Sequence, residues 1–147
     1  MILIIFNLYI EAKSDILKNN KIMFYFLVAV LGVLSIVLPT LFMPDLRQYD
    51  APIFPLIRTG IEGISKWSFG LLLISGFCMK WVSKLPSWKI GISTMALFPI
   101  LAILETLADS SSHNMLPFEF IFYAVYSIPA IVGTYLAEGI KLALGSK

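Results

Sequence analysis

The chain has 147 residues, of which 59% are hydrophobic and 14% charged, and its formal net charge is +2. A soluble domain has about 25% charged residues, and one of this size has too little interior to hide so much apolar surface from water. The composition therefore excludes an ordinary soluble domain, and scattered lysines without a basic stripe argue against a nucleic-acid partner. We expect the lipid bilayer to solvate most of the chain.

Four apolar stretches are long enough to cross a membrane, which takes roughly 20 mostly apolar residues. In chain order they are residues 22–43, 61–82, 90–108 and 118–137. The sequence thus predicts a single membrane domain over 1–147, an all-α, polytopic integral membrane protein built as a bundle of four transmembrane helices. Residues 44–60 and 109–117 would connect the spans at one end, and residues 83–89 at the other.

The first ten residues are apolar but too few to cross a bilayer. They lack a basic n-region and a small-residue cleavage site, so they make a poor signal peptide. We expect residues 1–10 to form an interfacial segment and residues 11–21 to form a polar, partly helical surface stretch.

Basic residues are unevenly distributed between the two ends of the predicted bundle. Three lie at one end, Arg47, Arg58 and Lys66, and the other eight lie at the end that holds both termini. Cytoplasmic loops carry the excess of lysine and arginine. The N- and C-termini are therefore predicted on the cytoplasmic side, with the connections 44–60 and 109–117 outside. We expect a multi-pass protein of a bacterial inner membrane.

The densest group of polar side chains lies between the third and fourth predicted spans, in "LETLADSSSHNMLPFEF". We call residues 105–119 the polar segment. A turn is one interpretation, because Ser, Asn and Asp favour caps and turns, and Glu105 lies near enough to the span's end to reach water. Three consecutive serines beside a histidine and an asparagine exceed what a turn needs, which favours a ligand or ion site. Its candidate residues are Glu105, Asp109, Ser110, Ser111, Ser112, His113, Asn114 and Glu119.

A divalent metal is the one cofactor that the sequence suggests. Glu105, Asp109 and His113 are spaced four apart and would share one face of a continuous helix. Carboxylates and an imidazole can bind such an ion. The chain has only one histidine and no HExxH motif, and it has no GxSxG elbow of a serine hydrolase. The sequence therefore favours a protein that is not an enzyme.

Arg47, Arg58 and Glu62 complete the candidate site residues. Arg58, Glu62 and Lys66 are four apart, which predicts a solvated ion-pair ladder on a helix. Alternatively, Arg58 or Arg47 meets the carboxylates of the polar segment across the mouth of the bundle, because charges at membrane depth are usually paired or functional.

The later spans contain residues that shape helices. Pro99 and Pro129 cannot donate a backbone hydrogen bond, which predicts kinks that can open a cavity. The fourth span also has small residues that allow close contact with another helix of the bundle or with a partner helix: Ser127, Ala130, Gly133 and Ala137.

Three functions remain open on this basis. The first is a non-catalytic subunit, or a module that binds a ligand, a partner membrane protein or a second copy through its outer polar cluster. The second is a small cation- or proton-coupled transporter or channel that uses Glu105 and Asp109 inside the bundle. The third is a membrane-embedded, metal-dependent hydrolase or transferase whose metal is held by Glu105, Asp109 and His113.

Overall fold

The computed structural model of the chain describes residues 2–43, 48–109 and 116–144. These residues form helices and turns without a strand, which confirms the predicted all-α class for the described part. The helices are α1 (Ile2–Phe42), α2 (Pro55–Glu62), α3 (Lys66–Val82), α4 (Ser87–Ser93), α5 (Leu97–Ala108), α6 (Leu116–Tyr126) and α7 (Ile128–Ala143).

Three long helical stretches are apolar enough to cross a membrane. They are Asn20–Phe42 in α1, Ser87–Ala108 in α4 and α5, and Pro117–Ala143 in α6 and α7. In the most apolar 18 residues of each stretch, only 33%, 39% and 33% are buried within the protein. Most of this apolar surface must therefore be solvated by something other than water or the protein itself. Their length and hydropathy indicate a multi-pass integral membrane protein in a lipid bilayer.

The predicted second span, 61–82, is interrupted near its start. Helix α2 ends at Glu62, and α3 begins only at Lys66. Ser65 lies between them and caps α3, because its hydroxyl accepts a hydrogen bond from the backbone N–H of Ser68 at 3.3 Å. Glycine and serine favour such helix ends. The resulting 17-residue α3 is at the short limit of membrane-spanning helices, and the fourth crossing remains a prediction.

The first helix is longer than the sequence indicated. Residues 1–21 were expected to form an interfacial segment and a partly helical surface stretch, whereas α1 runs without interruption over 41 residues. Residues 11–21 contain no glycine or proline, so nothing in their backbone chemistry ends a helix there.

The helix is interrupted just before each of the two prolines at which a kink was predicted. A turn at residues 94–96 separates α4 from α5 just before Pro99, and Ser127 separates α6 from α7 just before Pro129. Hydroxyl groups bond to carbonyls at both breaks: the Thr94 hydroxyl donates to the Gly91 carbonyl at 2.7 Å, and the Ser127 hydroxyl donates to the Ala124 carbonyl at 2.6 Å.

The most extensive contact between two helices of the described chain joins α3 to α7. A Cβ atom at Gly133 would overlap the Leu73 carbonyl oxygen, and one at Gly76 would overlap the Ala130 carbonyl oxygen. The backbones of the two helices are therefore in direct contact, as small residues permit in membrane helix pairs. The small residues predicted to allow close contact lie buried in this part of the bundle: Ser127, Ala130, Gly133 and Ala137.

Candidate functional site: a cavity between α2, α5 and α6

A cavity of about 520 Å³ opens between α2, α5 and α6. Small-molecule sites typically measure about 300–1,000 Å³ and are mostly apolar with a few convergent polar groups. The charged residues on the cavity wall are Arg58, Glu62, Glu105 and Glu119, and the rest of the wall is aromatic or aliphatic apart from the hydroxyls of Tyr123 and Tyr126. The cavity thus has the size and the lining of a ligand site.

Glu105 is the most deeply placed carboxylate of this wall. Its residue is only 4% exposed, although it lies in the last turn of α5. One carboxylate oxygen, Oε1, accepts a hydrogen bond from the backbone N–H of Phe54 at 3.0 Å. Because Phe54 directly precedes α2, this bond ties the end of α5 to the start of α2. The burial contradicts the interpretation in which Glu105 simply reaches interfacial water.

Glu119 lies on the opposite wall, in the first turn of α6, as the sequence predicted. Its Oε2 atom accepts a hydrogen bond from the hydroxyl of Tyr123, one turn later, at 3.1 Å. The Tyr123 ring is buried and packs against the ring of Phe98 on α5, with 5.7 Å between the ring centroids. These contacts hold Glu119 and Tyr123 at the cavity surface.

The basic residue of the cavity is held by a neighbour on the same helix. The Arg58 Nε atom lies 3.4 Å from Glu62 Oε1, which confirms the first step of the predicted ion-pair ladder. Lys66 begins α3 beyond the interruption after Glu62, so one continuous helix does not carry all three charges. Arg58 also shares the cavity wall with Glu105 and Glu119. That Arg58 meets the carboxylates of the polar segment across the bundle mouth remains a prediction.

The remaining candidate residues divide into two groups. Asp109 directly follows α5 and is exposed. The transporter hypothesis requires both Glu105 and Asp109 inside the bundle, and of these two only Glu105 is buried. The metal site of Glu105, Asp109 and His113 remains a prediction, and the part of the chain that the structure describes holds no group of three metal-binding side chains. Candidates outside the described residues are Arg47, Ser110, Ser111, Ser112, His113 and Asn114.

A second polar group, at the opposite end of the helices, was missed by sequence reasoning. Lys80 on α3 is buried, and its amino group donates hydrogen bonds to the Leu85 carbonyl at 2.9 Å and to Glu138 Oε1 at 3.3 Å. The Ser87 hydroxyl donates to the other carboxylate oxygen of Glu138. The Lys141 amino group donates to the Lys80 carbonyl at 3.0 Å.

We call Lys80, Ser87, Glu138 and Lys141 the lysine-end network. The sequence offered one signal for it: Glu138 is an acidic residue near the end of the fourth span, among lysines and away from the other carboxylates of the spans. The network joins α3, α4 and α7 and encloses the connection between α3 and α4. Among the described residues, the Ser83 hydroxyl in that connection is buried without a hydrogen-bond partner.

Comparisons of the chain with protein-family models, with curated proteins and with solved structures found no match. Its function is therefore inferred from its own residues. Carboxylates, a guanidinium and aromatic rings can recognise a ligand, so the described wall is suited to binding.

Proposed function

We propose that the chain is a small multi-pass membrane protein that binds a small molecule in the cavity between α2, α5 and α6. The observation that carries this proposal is the buried carboxylate of Glu105 on the wall of a cavity of about 520 Å³. Ionisable groups inside a membrane bundle are expensive and usually mark a functional site. An apolar cavity with a few polar groups adds the shape and chemistry of a ligand site.

The proposed topology has four crossings, with α3 as the second and both termini in the cytoplasm. The cavity then opens on the outer side, because the lysine-end network and the neighbouring Lys84 and Lys89 lie at the cytoplasmic end. The test labels single cysteines with a membrane-impermeant maleimide in intact cells that carry Cys78→Ser. We expect Asp109→Cys to react and Lys84→Cys to react only after lysis, and the reverse pattern would overturn this orientation.

Ligand binding is tested with a substitution that enlarges a side chain on the cavity wall. Ala102 is buried on this wall, so Ala102→Leu places three more carbon atoms in the space that a ligand would occupy. Ala124→Leu makes the same change on an exposed face of α6 and is the control. The measurement is the thermal shift that a library of small fragments produces in the purified protein.

We expect some fragments to stabilise the parent protein and the Ala124→Leu variant but not Ala102→Leu. Fragments that stabilise all three proteins equally would bind elsewhere and contradict the proposal. A library without a single stabilising fragment would contradict it as well.

A second candidate, the cation- or proton-coupled transporter, is favoured by the position of Glu105 within the candidate span Ser87–Ala108. A buried carboxylate in a span can bind and release a proton. The test reconstitutes the protein in liposomes that contain a pH-sensitive dye and imposes a potassium gradient with valinomycin. Proton uptake that is abolished by Glu105→Gln would support this candidate, and uptake equal to that of empty liposomes would exclude it.

A further inference from the structure

We propose that the end of the bundle with the lysine-end network binds the headgroups of anionic phospholipids. The binding surface is the segment that ends α3 and begins α4, where two tryptophans alternate with two lysines: Trp81, Lys84, Trp88 and Lys89. All four residues are exposed, and we call them the lysine–tryptophan surface. The proposal goes beyond the small-molecule site and does not depend on it, because the cavity lies at the opposite end of the helices.

The charge of this end is positive. Within the part of the chain that the structure describes, neither Lys84 nor Lys89 has a carboxylate within ion-pair distance, and the carboxylate of Glu138 is paired with Lys80 at 3.3 Å. The sequence places eight basic residues at this end but only three acidic ones, which are Glu11, Asp15 and Glu138. Basic residues therefore remain in excess however the charges of this end pair with one another. Such an excess beside a membrane span attracts anionic lipids.

The tryptophans indicate the depth of this surface in the membrane. Tryptophan is enriched where lipid headgroups meet the hydrocarbon core, because its ring is largely apolar and its N–H is polar. The Lys89 amino group lies 5.4 Å from the centre of the Trp88 ring, and the Lys141 amino group lies 5.9 Å from the centre of the Trp81 ring. These contacts hold cationic groups beside interfacial rings, near the level of the lipid phosphates.

Helix α7 continues past this level and is still apolar there. It is level with the first residue of α4 at Thr134, whose hydroxyl donates a hydrogen bond to the Ser87 carbonyl at 3.1 Å. Ile140 and Leu142 lie further along α7 and are exposed, and the eight residues from Thr134 to Leu142 span about 12 Å of helix. The lysine–tryptophan surface thus lies beside an apolar helix face, where a cation needs a counter-charge. The phosphate of a lipid headgroup is an anion that the bilayer itself supplies at this depth.

The opposite end of the bundle repeats the pairing of lysine with tryptophan in a different charge environment. The Lys66 amino group lies 5.7 Å from the centre of the Trp67 ring, and both residues are exposed. The sequence places six acidic residues and three basic ones at that end, so its net charge repels an anionic headgroup. The charge balance therefore assigns anionic phospholipids to the lysine–tryptophan surface, and Lys66 provides a matched control.

The affinity is tested by titrating the full chain in mild detergent with phosphatidylglycerol or phosphatidylcholine of identical acyl chains. Native mass spectrometry counts the bound lipids. We expect phosphatidylglycerol to bind more tightly, and Lys84→Gln and Lys89→Gln each to weaken it about fivefold, which equals about 1 kcal/mol for one lysine at an anionic surface. Binding of phosphatidylcholine should not change. Lys84→Arg keeps the charge and should keep the affinity, and Lys66→Gln should leave it unchanged.

The position of the bound lipid is tested without changing any lysine. Two variants retain a single tryptophan, either Trp88 or Trp67, with the other two replaced by phenylalanine. Each variant is placed in liposomes of mixed phosphatidylglycerol and phosphatidylcholine in which one of the two lipids has brominated acyl chains that quench tryptophan fluorescence. We expect brominated phosphatidylglycerol to quench Trp88 more strongly than brominated phosphatidylcholine does, and Trp67 to show no such preference.

Three results would overturn the proposal. The first is equal affinity of the parent protein for the two lipids. The second is a loss of phosphatidylglycerol binding in Lys66→Gln as large as that in Lys84→Gln, or the same quenching preference at Trp67 as at Trp88. The third is displacement of phosphatidylglycerol by an excess of soluble glycerol phosphate, which would assign the surface to a free phosphate ester. The cavity is tested separately by its own fragments and variants, so failure of one proposal is distinguishable from failure of the other.

Discussion

Charged groups lie at both ends of this bundle, and they are used differently at each. In the lysine-end network, the amino groups of Lys80 and Lys141 and the carboxylate of Glu138 bond to neighbouring helices. At the other end, Glu105 and Glu119 border a cavity of about 520 Å³. Polar groups thus tie helices together at both ends, as Glu105 does through the backbone N–H of Phe54, but only at the second end do they also line a space that a ligand can enter.

The packing around the two regions explains the difference. Near the lysine-end network, Gly76 and Gly133 bring the backbones of α3 and α7 into contact, so no volume remains between them. Around the cavity, large rings such as Phe98 and Tyr123 meet between α5 and α6. Large rings packed between two helices hold the helix backbones apart, and space remains beside the rings.

The largest expected effect comes from separating α3 from α7. We expect Gly133→Ala to destabilise the protein by about 3 kcal/mol, because the new methyl group overlaps the Leu73 carbonyl and an overpacked contact must shift backbone. Gly139→Ala on the same helix is the control, since a Cβ atom there meets nothing within 4 Å among the described residues. It should be neutral or stabilising by up to about 1 kcal/mol.

The free energy of unfolding is measured for both variants by equilibrium titration with sodium dodecyl sulfate in mixed micelles. Equal stabilities of Gly133→Ala and Gly139→Ala would contradict the close contact of α3 and α7, and with it the contrast between a packed half and an open half.

A smaller effect is expected from breaking one ion pair at each end. Glu138→Ala leaves the buried amino group of Lys80 without its carboxylate, although the Leu85 carbonyl remains, and should destabilise the protein by about 2 kcal/mol. Glu62→Ala breaks the more exposed pair with Arg58 and should change stability by about 0.5 kcal/mol or less. The same titration compares them, and a larger loss for Glu62→Ala would reverse the assignment of structural and binding ends.

The all-α class and three of the four spans follow from apolar runs that no soluble fold could bury. The helix interruptions just before Pro99 and Pro129 follow from proline chemistry. The interruption between α2 and α3 was missed because residues 61–82 remain apolar on average when Gly63, Ile64 and Ser65 are included. The capping bond that starts α3 at Ser65 depends on local geometry that hydropathy does not express.

The candidate site was predicted in part. Glu105, Glu119, Arg58 and Glu62 were selected from the sequence, and all four line the cavity. The aromatic residues of the wall were not selected, because the sequence cannot tell which rings of a membrane helix face the interior. Lys80 was counted only as a topological charge, since its pairing with a residue 58 positions later is a tertiary contact.

A third prediction concerns the hydrogen bond that joins the cavity wall to α2. Glu105→Ala leaves the backbone N–H of Phe54 without this acceptor and should destabilise the protein by about 1 kcal/mol. Glu105→Gln keeps an oxygen at the same place and should lose less. Unfolding titrations of the two variants give the difference, and equal losses would show that the charge of Glu105, rather than this hydrogen bond, supports the fold.

The smallest effect on stability is expected at Asp109, the residue that directly follows α5. Asp109 is exposed, and its backbone N–H donates the last hydrogen bond of the helix to the Glu105 carbonyl at 2.9 Å. Asp109→Asn keeps this backbone bond, and water screens the contacts of an exposed carboxylate, so stability should change by less than about 0.5 kcal/mol. A thermal scan in mild detergent compares the variant with the parent protein. A fall of several degrees would instead show that the Asp109 carboxylate holds the end of α5, and that Glu105 is not the only acidic residue among the described ones at this end that supports the fold.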